Sequence, residues 1–98
     1  METEIHILLV EDNPGDTRLI REMLLENAAE QVMLDHAETL QKAQGCVEVN
    51  TYDCILLDLS LPDSQGIDTV MKMGAESPET PIVVLTGNDD QQLGIESV

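Results

Sequence analysis

Three acidic side chains, Glu11, Asp12 and Asp58, stand directly after runs of aliphatic residues. Ile5-His6-Ile7-Leu8-Leu9-Val10 leads into Glu11-Asp12, and Cys54-Ile55-Leu56-Leu57 leads into Asp58. A further run, Ile82-Val83-Val84-Leu85, ends in Thr86. Short runs that are apolar at consecutive positions fit strands covered on both faces, as parallel strands are. In open α/β sheets, ligands bind outside the carboxyl ends of such strands. Neighbouring strands lie about 4.8 Å apart. If the first and third strands are adjacent, Asp12 and Asp58 share one small volume, with Glu11 close behind. Like charges at that spacing raise one another's pKa, and a hard divalent cation relieves them. Magnesium takes oxygen ligands at about 2.0–2.1 Å, commonly one or two carboxylates with waters and a substrate phosphate. A carboxylate beside such an ion can act as a nucleophile, with the ion neutralising the incoming phosphoryl charge while Asp58 attacks phosphorus in line.

Taken singly, these residues also fit plainer roles. Asp12 with Asn13 suits helix capping, Asp58 suits a turn, and Thr86 suits a β-branched strand end. The joint placement of acids at two strand ends and a hydroxyl at a third points to a site. Asp63 is assigned to the loop, and His6 and His36, both within strands, to structure.

The elements that must position the acids follow in order. Asn13 can cap a helix beginning at Pro14, where a missing N–H costs nothing. Leu19, Ile20, Met23, Leu24 and Ala28 then recur at helical spacing, with Arg18, Arg21 and Glu26 turned away. Val32–Ala37 reads as a shorter, less apolar edge strand. Residues 38–47 read as a modest helix through Leu40, Ala43 and Val47, weakened by Gly45. After Asp58 the loop Pro62-Asp63-Ser64-Gln65-Gly66 enters a third helix carrying Ile67, Val70, Met71 and Gly74 on one side. Ser77-Pro78-Glu79-Thr80-Pro81 breaks that helix before the last strand, and the residues on to Val98 read as the start of another helix. Strands alternating with helices predict an α/β domain with a doubly wound parallel sheet.

The chain has 98 residues, enough for one small core. That core must be aliphatic, since one Tyr is the sole aromatic among Phe, Tyr and Trp. Twenty acids against four bases give a formal net charge of −16. Such a charge opposes direct binding to nucleic acid or to an anionic membrane and suits divalent cations or a basic partner patch. No run approaches the ~18 apolar residues of a membrane span, and the acidic N-terminus is not a secretory signal. Cys46 and Cys54 form no framework, so a reducing, cytoplasmic setting is expected.

At this point the chain resembles the receiver domain of bacterial two-component response regulators. The resemblance rests on Leu8-Leu9-Val10-Glu11-Asp12-Asn13, on Ile55-Leu56-Leu57-Asp58-Leu59-Ser60-Leu61-Pro62-Asp63 with Gly66, and on Pro81-Ile82-Val83-Val84-Leu85-Thr86-Gly87. It implies a flavodoxin-like sheet in the order 2-1-3-4 and a phosphoryl group received by Asp58 from a histidine kinase or phosphotransfer protein. It further implies Mg2+ held by Glu11, Asp12, Asp58 and the Ser60 backbone carbonyl. Thr86 matches the hydroxyl that swings towards the phosphoryl group.

Receivers of this kind continue into a fifth strand ending in Lys-Pro and a fifth helix. Here Lys42 and Lys72 both precede Thr86, so no residue matches the phosphate-binding lysine. Residues 1–98 are therefore expected to be a C-terminally incomplete receiver domain. Its strand Ile82–Leu85 is expected to be an exposed apolar edge, which favours self-association. The resemblance makes the chain a phosphoacceptor signalling domain rather than an enzyme. A phosphatase using an aspartyl nucleophile is disfavoured, because Ser60 stands where a second acid would be wanted. A phosphorylation-independent interaction module is the alternative that the absent lysine favours.

Overall fold

The computed structural model describes residues 4–27, 31–87 and 93–97, with the side chains at 27, 86, 87 and 93–97 excepted. The elements run β1 (Glu4–Val10), α1 (Pro14–Asn27), β2 (Gln31–Ala37), α2 (Leu40–Val49), β3 (Cys54–Asp58), the short strands β4 (Ser60–Leu61) and β5 (Ser64–Gln65), α3 (Ile67–Glu76), β6 (Ile82–Gly87) and β7 (Leu93–Ser97). The main sheet has the order β2-β1-β3-β6-β7. Its first four strands are parallel, which is the flavodoxin-like order expected from the sequence.

The apolar runs are explained by burial on both sides. Side chains alternate across a strand. Leu8 and Val10 of β1 with Ile55 and Leu57 of β3 face one layer, packed with Leu40 and Ala43 of α2 and Val70 and Met73 of α3. Ile7, Leu9 and Leu56 face the other, packed against Ile20 of α1.

The helix faces are narrower than the sequence suggests. In α1, Thr17 and Ile20 are buried and Leu24 is half-buried, whereas Leu19 and Met23 are about half exposed (48% and 46%). A single helix laid across a sheet meets it along one stripe, here at i, i+3 and i+7. Ala28 lies outside the described residues. In α3, Thr69, Val70 and Met73 form the inner face, and Ile67 and Met71 project into solvent.

The C-terminal expectation is corrected. Residues 93–97 form a strand rather than a helix, paired antiparallel with β6 from Val83↔Ser97 to Gly87↔Leu93. The backbone of β6 is therefore not an open edge, which removes the strand-edge ground for self-association. An unpaired edge offers N–H and C=O groups that any extended segment can satisfy, and the chain's own next segment satisfies them here. Residues 88–92 lie outside the described residues.

Two polar ties hold the layers in register. Asp63 accepts the N–H groups of Leu40 (2.8 Å) and Gln41 (2.9 Å), so the loop after β3 caps α2 from another part of the chain. Those backbone donors hold its carboxyl below the usual carboxylate range. Asp63→Ala is expected to cost roughly 1 kcal/mol, a typical value for a lost helix cap. Because the folded pKa is depressed, this contribution is present above the ordinary carboxylate pKa and is lost as pH falls through the lower folded value. Urea unfolding of both proteins at neutral and acid pH checks the size and the sign. At the other end of the sheet, Tyr52 donates its hydroxyl to Asp35 Oδ2 (2.7 Å), which also accepts from His6 Nε2 (3.0 Å). This confirms the structural part expected of His6.

Candidate functional site

The register brings the acids together. Val10 pairs with Leu57 in the β1–β3 ladder. One residue on, Glu11 and Asp58 leave the sheet side by side, continuing the alternation of Leu9 and Leu56 towards the α1 face. Among the described residues, Glu11, Asp12 and Asp58 form a carboxylate group whose nearest oxygens all lie within 4.8 Å of one another. Glu11 is buried (3% exposed), Asp58 half-buried and Asp12 exposed, so the cluster opens to solvent on the Asp12 side.

The corner between β1 and α1 fixes Glu11. Asn13 Oδ1 accepts the N–H groups of Gly15 (2.8 Å) and Asp16 (3.1 Å), capping α1 as its sequence suggests. The Asn13 N–H donates back to Glu11 Oε2 (3.2 Å). Burial pushes the Glu11 carboxyl up to about 8, with the neighbouring Asp58 adding to the rise and the Asn13 N–H opposing it. Burial also raises Asp58, against the hydrogen bond from Glu11 and the backbone N–H groups of Ser60 and Leu59. The two carboxyls lie close enough to act on each other directly, which adds to the rise at Glu11 and offsets part of the rise at Asp58.

Ser60 lies two residues beyond Asp58 and donates its N–H to Asp58 Oδ1 (3.3 Å), which aims that carboxylate. Thr86 occupies β6 one residue beyond Leu85, the β6 partner of Asp58; its side chain lies outside the described residues. Gly66 takes φ 68°, a left-handed conformation that favours glycine. Its N–H donates to Leu59 O (2.8 Å), turning the loop after β3 back to its start.

His36, read from the sequence as structural, belongs to this corner. Its Nε2 lies 2.7 Å from the Glu11 carbonyl. A carbonyl only accepts, so Nε2 carries the proton. Nothing in the local sequence marks His36 out; its place beside Glu11 follows from the β1–β2 register, in which Leu9 pairs with His36.

A divalent cation fits this donor set. Oxygens on opposite sides of a magnesium ion stand about 4.2 Å apart, twice the metal–oxygen distance. The cluster is within a small side-chain rotation of such spacing, all its donors are hard oxygens, and its metal-free form leaves one buried carboxyl protonated well above the ordinary range.

Residues 7–98 match the family model of the response regulator receiver domain. The chain is 37% identical over 90 residues to the transcriptional regulatory protein SrrA of Staphylococcus aureus, covering 92% of this chain and 36% of that protein. It is similar to the receiver domain of the sensor histidine kinase PA1611 from Pseudomonas aeruginosa, with 31% identity, a TM-score of 0.75, and 88% of this chain and 70% of that one covered. That structure has a magnesium ion coordinated in its active-site cleft. It is also similar to the phosphorylated cyanobacterial phytochrome response regulator RcpA, with 28% identity, a TM-score of 0.77, and 89% and 68% covered. The chain spans little more than a third of the length of the SrrA relative it matches. By the family match, the relatives and the shared fold, this chain belongs to the response regulator receiver domains of two-component signalling.

Proposed function

We propose that the chain receives a phosphoryl group on Asp58, with Mg2+ held by Glu11, Asp12, Asp58 and the backbone carbonyl of Ser60. The donor is a histidine kinase or a phosphotransfer protein, in the cytoplasm. The observation that carries this reading is the convergence of three carboxylates, one of them buried, at the carboxyl edge of adjacent parallel strands. When bound, the ion supplies positive charge to the carboxylates and to the phosphoryl oxygens. Asp58, half-buried and aimed by the Ser60 N–H, presents an oxygen to phosphorus. A P–O bond forms to Asp58 as the P–N bond of the donor histidine breaks, and the departing imidazole nitrogen takes up a proton from solvent. Glu11, its proton released to solvent, would be one of the carboxylates holding the cation. Thr86, one residue beyond the strand partner of Asp58, is the hydroxyl assigned to the new phosphoryl oxygens.

The reading is tested by incubating the protein with a small acyl phosphate and following intact mass. Labelling by one phosphoryl group is expected with magnesium present and is expected to disappear with a chelator. A protein that stays unlabelled under both conditions while binding magnesium would favour the alternative, an interaction module that keeps the fold and the cation site without the modification.

A further inference from the structure

We infer that His36 is a positioning residue of the acid pocket: its Nε2–H, donated to the Glu11 carbonyl, sets the corner that aims Glu11 and Asp12 at Asp58. The inference rests on the proposed magnesium site and adds a residue that touches neither the ion nor the phosphoryl group. Its ground is the set of hydrogen bonds at the end of β1. The last bond of the β1–β2 ladder runs from the Glu11 N–H to Ala37 O (3.0 Å). Beyond it the chain leaves the sheet, so the Glu11 carbonyl has no strand partner, and His36 Nε2 supplies one at 2.7 Å. Thr17 Oγ1 donates to Asn13 O (2.9 Å) and lies 3.3 Å from the same Nε2, which it serves as an acceptor. The Asn13 N–H then reaches Glu11 Oε2 (3.2 Å).

Residues 11–13 are thus held at the Glu11 and Asn13 carbonyls from outside and at the Glu11 carboxylate from within. His36 is half-buried and Thr17 is buried, so their side chains are confined by packing. Without the imidazole proton, the Glu11 carbonyl would lack this partner, next to a buried carboxyl, and the corner would lose one of the ties that hold it. Partners that orient metal-ligating groups commonly cost about 10–100-fold in affinity when removed.

The test compares H36Q, H36N and H36L with the parent chain. Glutamine places an N–H donor at about the reach of Nε2; asparagine is polar but a methylene shorter; leucine has no donor. Two readouts are taken. The first is magnesium affinity by calorimetry, and the second is amide hydrogen exchange of residues 12–15 in the metal-free protein. A core variant remote from the corner, V70A, controls for general loss of stability. The expected result is a roughly tenfold weaker affinity and faster corner exchange in H36L and H36N, with H36Q within twofold of the parent and V70A unchanged in affinity. Should H36L not fold, the comparison of H36Q with H36N decides alone. Equal magnesium affinity and equal corner exchange in H36Q and H36N, or an equal loss in V70A, would overturn the inference. Failure of the parent chain to bind magnesium would instead refute the site on which it rests.

Discussion

Asp58→Asn is expected to abolish magnesium-dependent phosphoryl labelling while making the metal-free protein more stable at pH 8. The first effect follows from chemistry: an amide has no anionic oxygen to attack phosphorus, and Asn keeps the shape of the loop. The second follows from the electrostatics of the pocket. Burial raises the carboxyl groups of both Asp58 and Glu11, and their proximity adds to the rise at Glu11. A group whose folded pKa is raised binds more protons folded than unfolded, so its contribution to stability falls as pH rises through the interval between the two values. For Glu11 that interval runs from the ordinary 4.5 up to about 8. Removing one of the two facing carboxyls is expected to stabilise the protein by roughly 1–3 kcal/mol at pH 8, the range of a relieved buried charge, and by much less at pH 5. Urea unfolding in a chelator at the two pH values measures it. Undiminished labelling of the Asn variant would place the phosphoryl group elsewhere.

Glu11→Gln carries the second large effect. The glutamine should cost magnesium binding about tenfold or more, since a carboxylate ligand is replaced by a neutral amide. It should also change the pH profile. In the parent chain the cation competes with the proton on Glu11, so affinity is expected to climb as pH rises towards 8 and binding to release protons. In the variant that competition is gone, leaving the smaller dependence due to Asp58. Calorimetry in buffers of different ionisation enthalpy reads the proton release directly. An unchanged number of released protons in the variant would show that Glu11 does not face the ion.

Much of this arrangement was legible in the chain because it depends on local pattern. β1, β3 and β6 announce themselves as aliphatic runs covered on both faces, and the acids follow at once where the first two stop. Asn13 and Pro14 mark the start of α1 by capping chemistry that needs only neighbours. What was not legible depends on partners distant in sequence. Asp63 reads as a loop residue, and only the fold shows that the loop caps α2, 23 residues upstream at Leu40. His36 reads as an ordinary strand histidine, and only the β1–β2 register sets it beside Glu11. The apolar residues Leu19, Met23, Ile67 and Met71 fit a wide helical face by spacing, yet the sheet is met along a narrower one. The segment 93–97 carries too little periodicity to choose between helix and strand, and the edge of β6 decides for strand.

Everything proposed for the chain depends on Glu11, Asp12 and Asp58 forming one cation site at the rim of the sheet. It is tested most directly by titrating the chain with magnesium and following backbone amide shifts. One saturable transition confined to residues 11–13 and 58–60 is expected, absent in Asp58→Asn combined with Glu11→Gln. Small, non-saturating shifts spread over the acidic surface would contradict it.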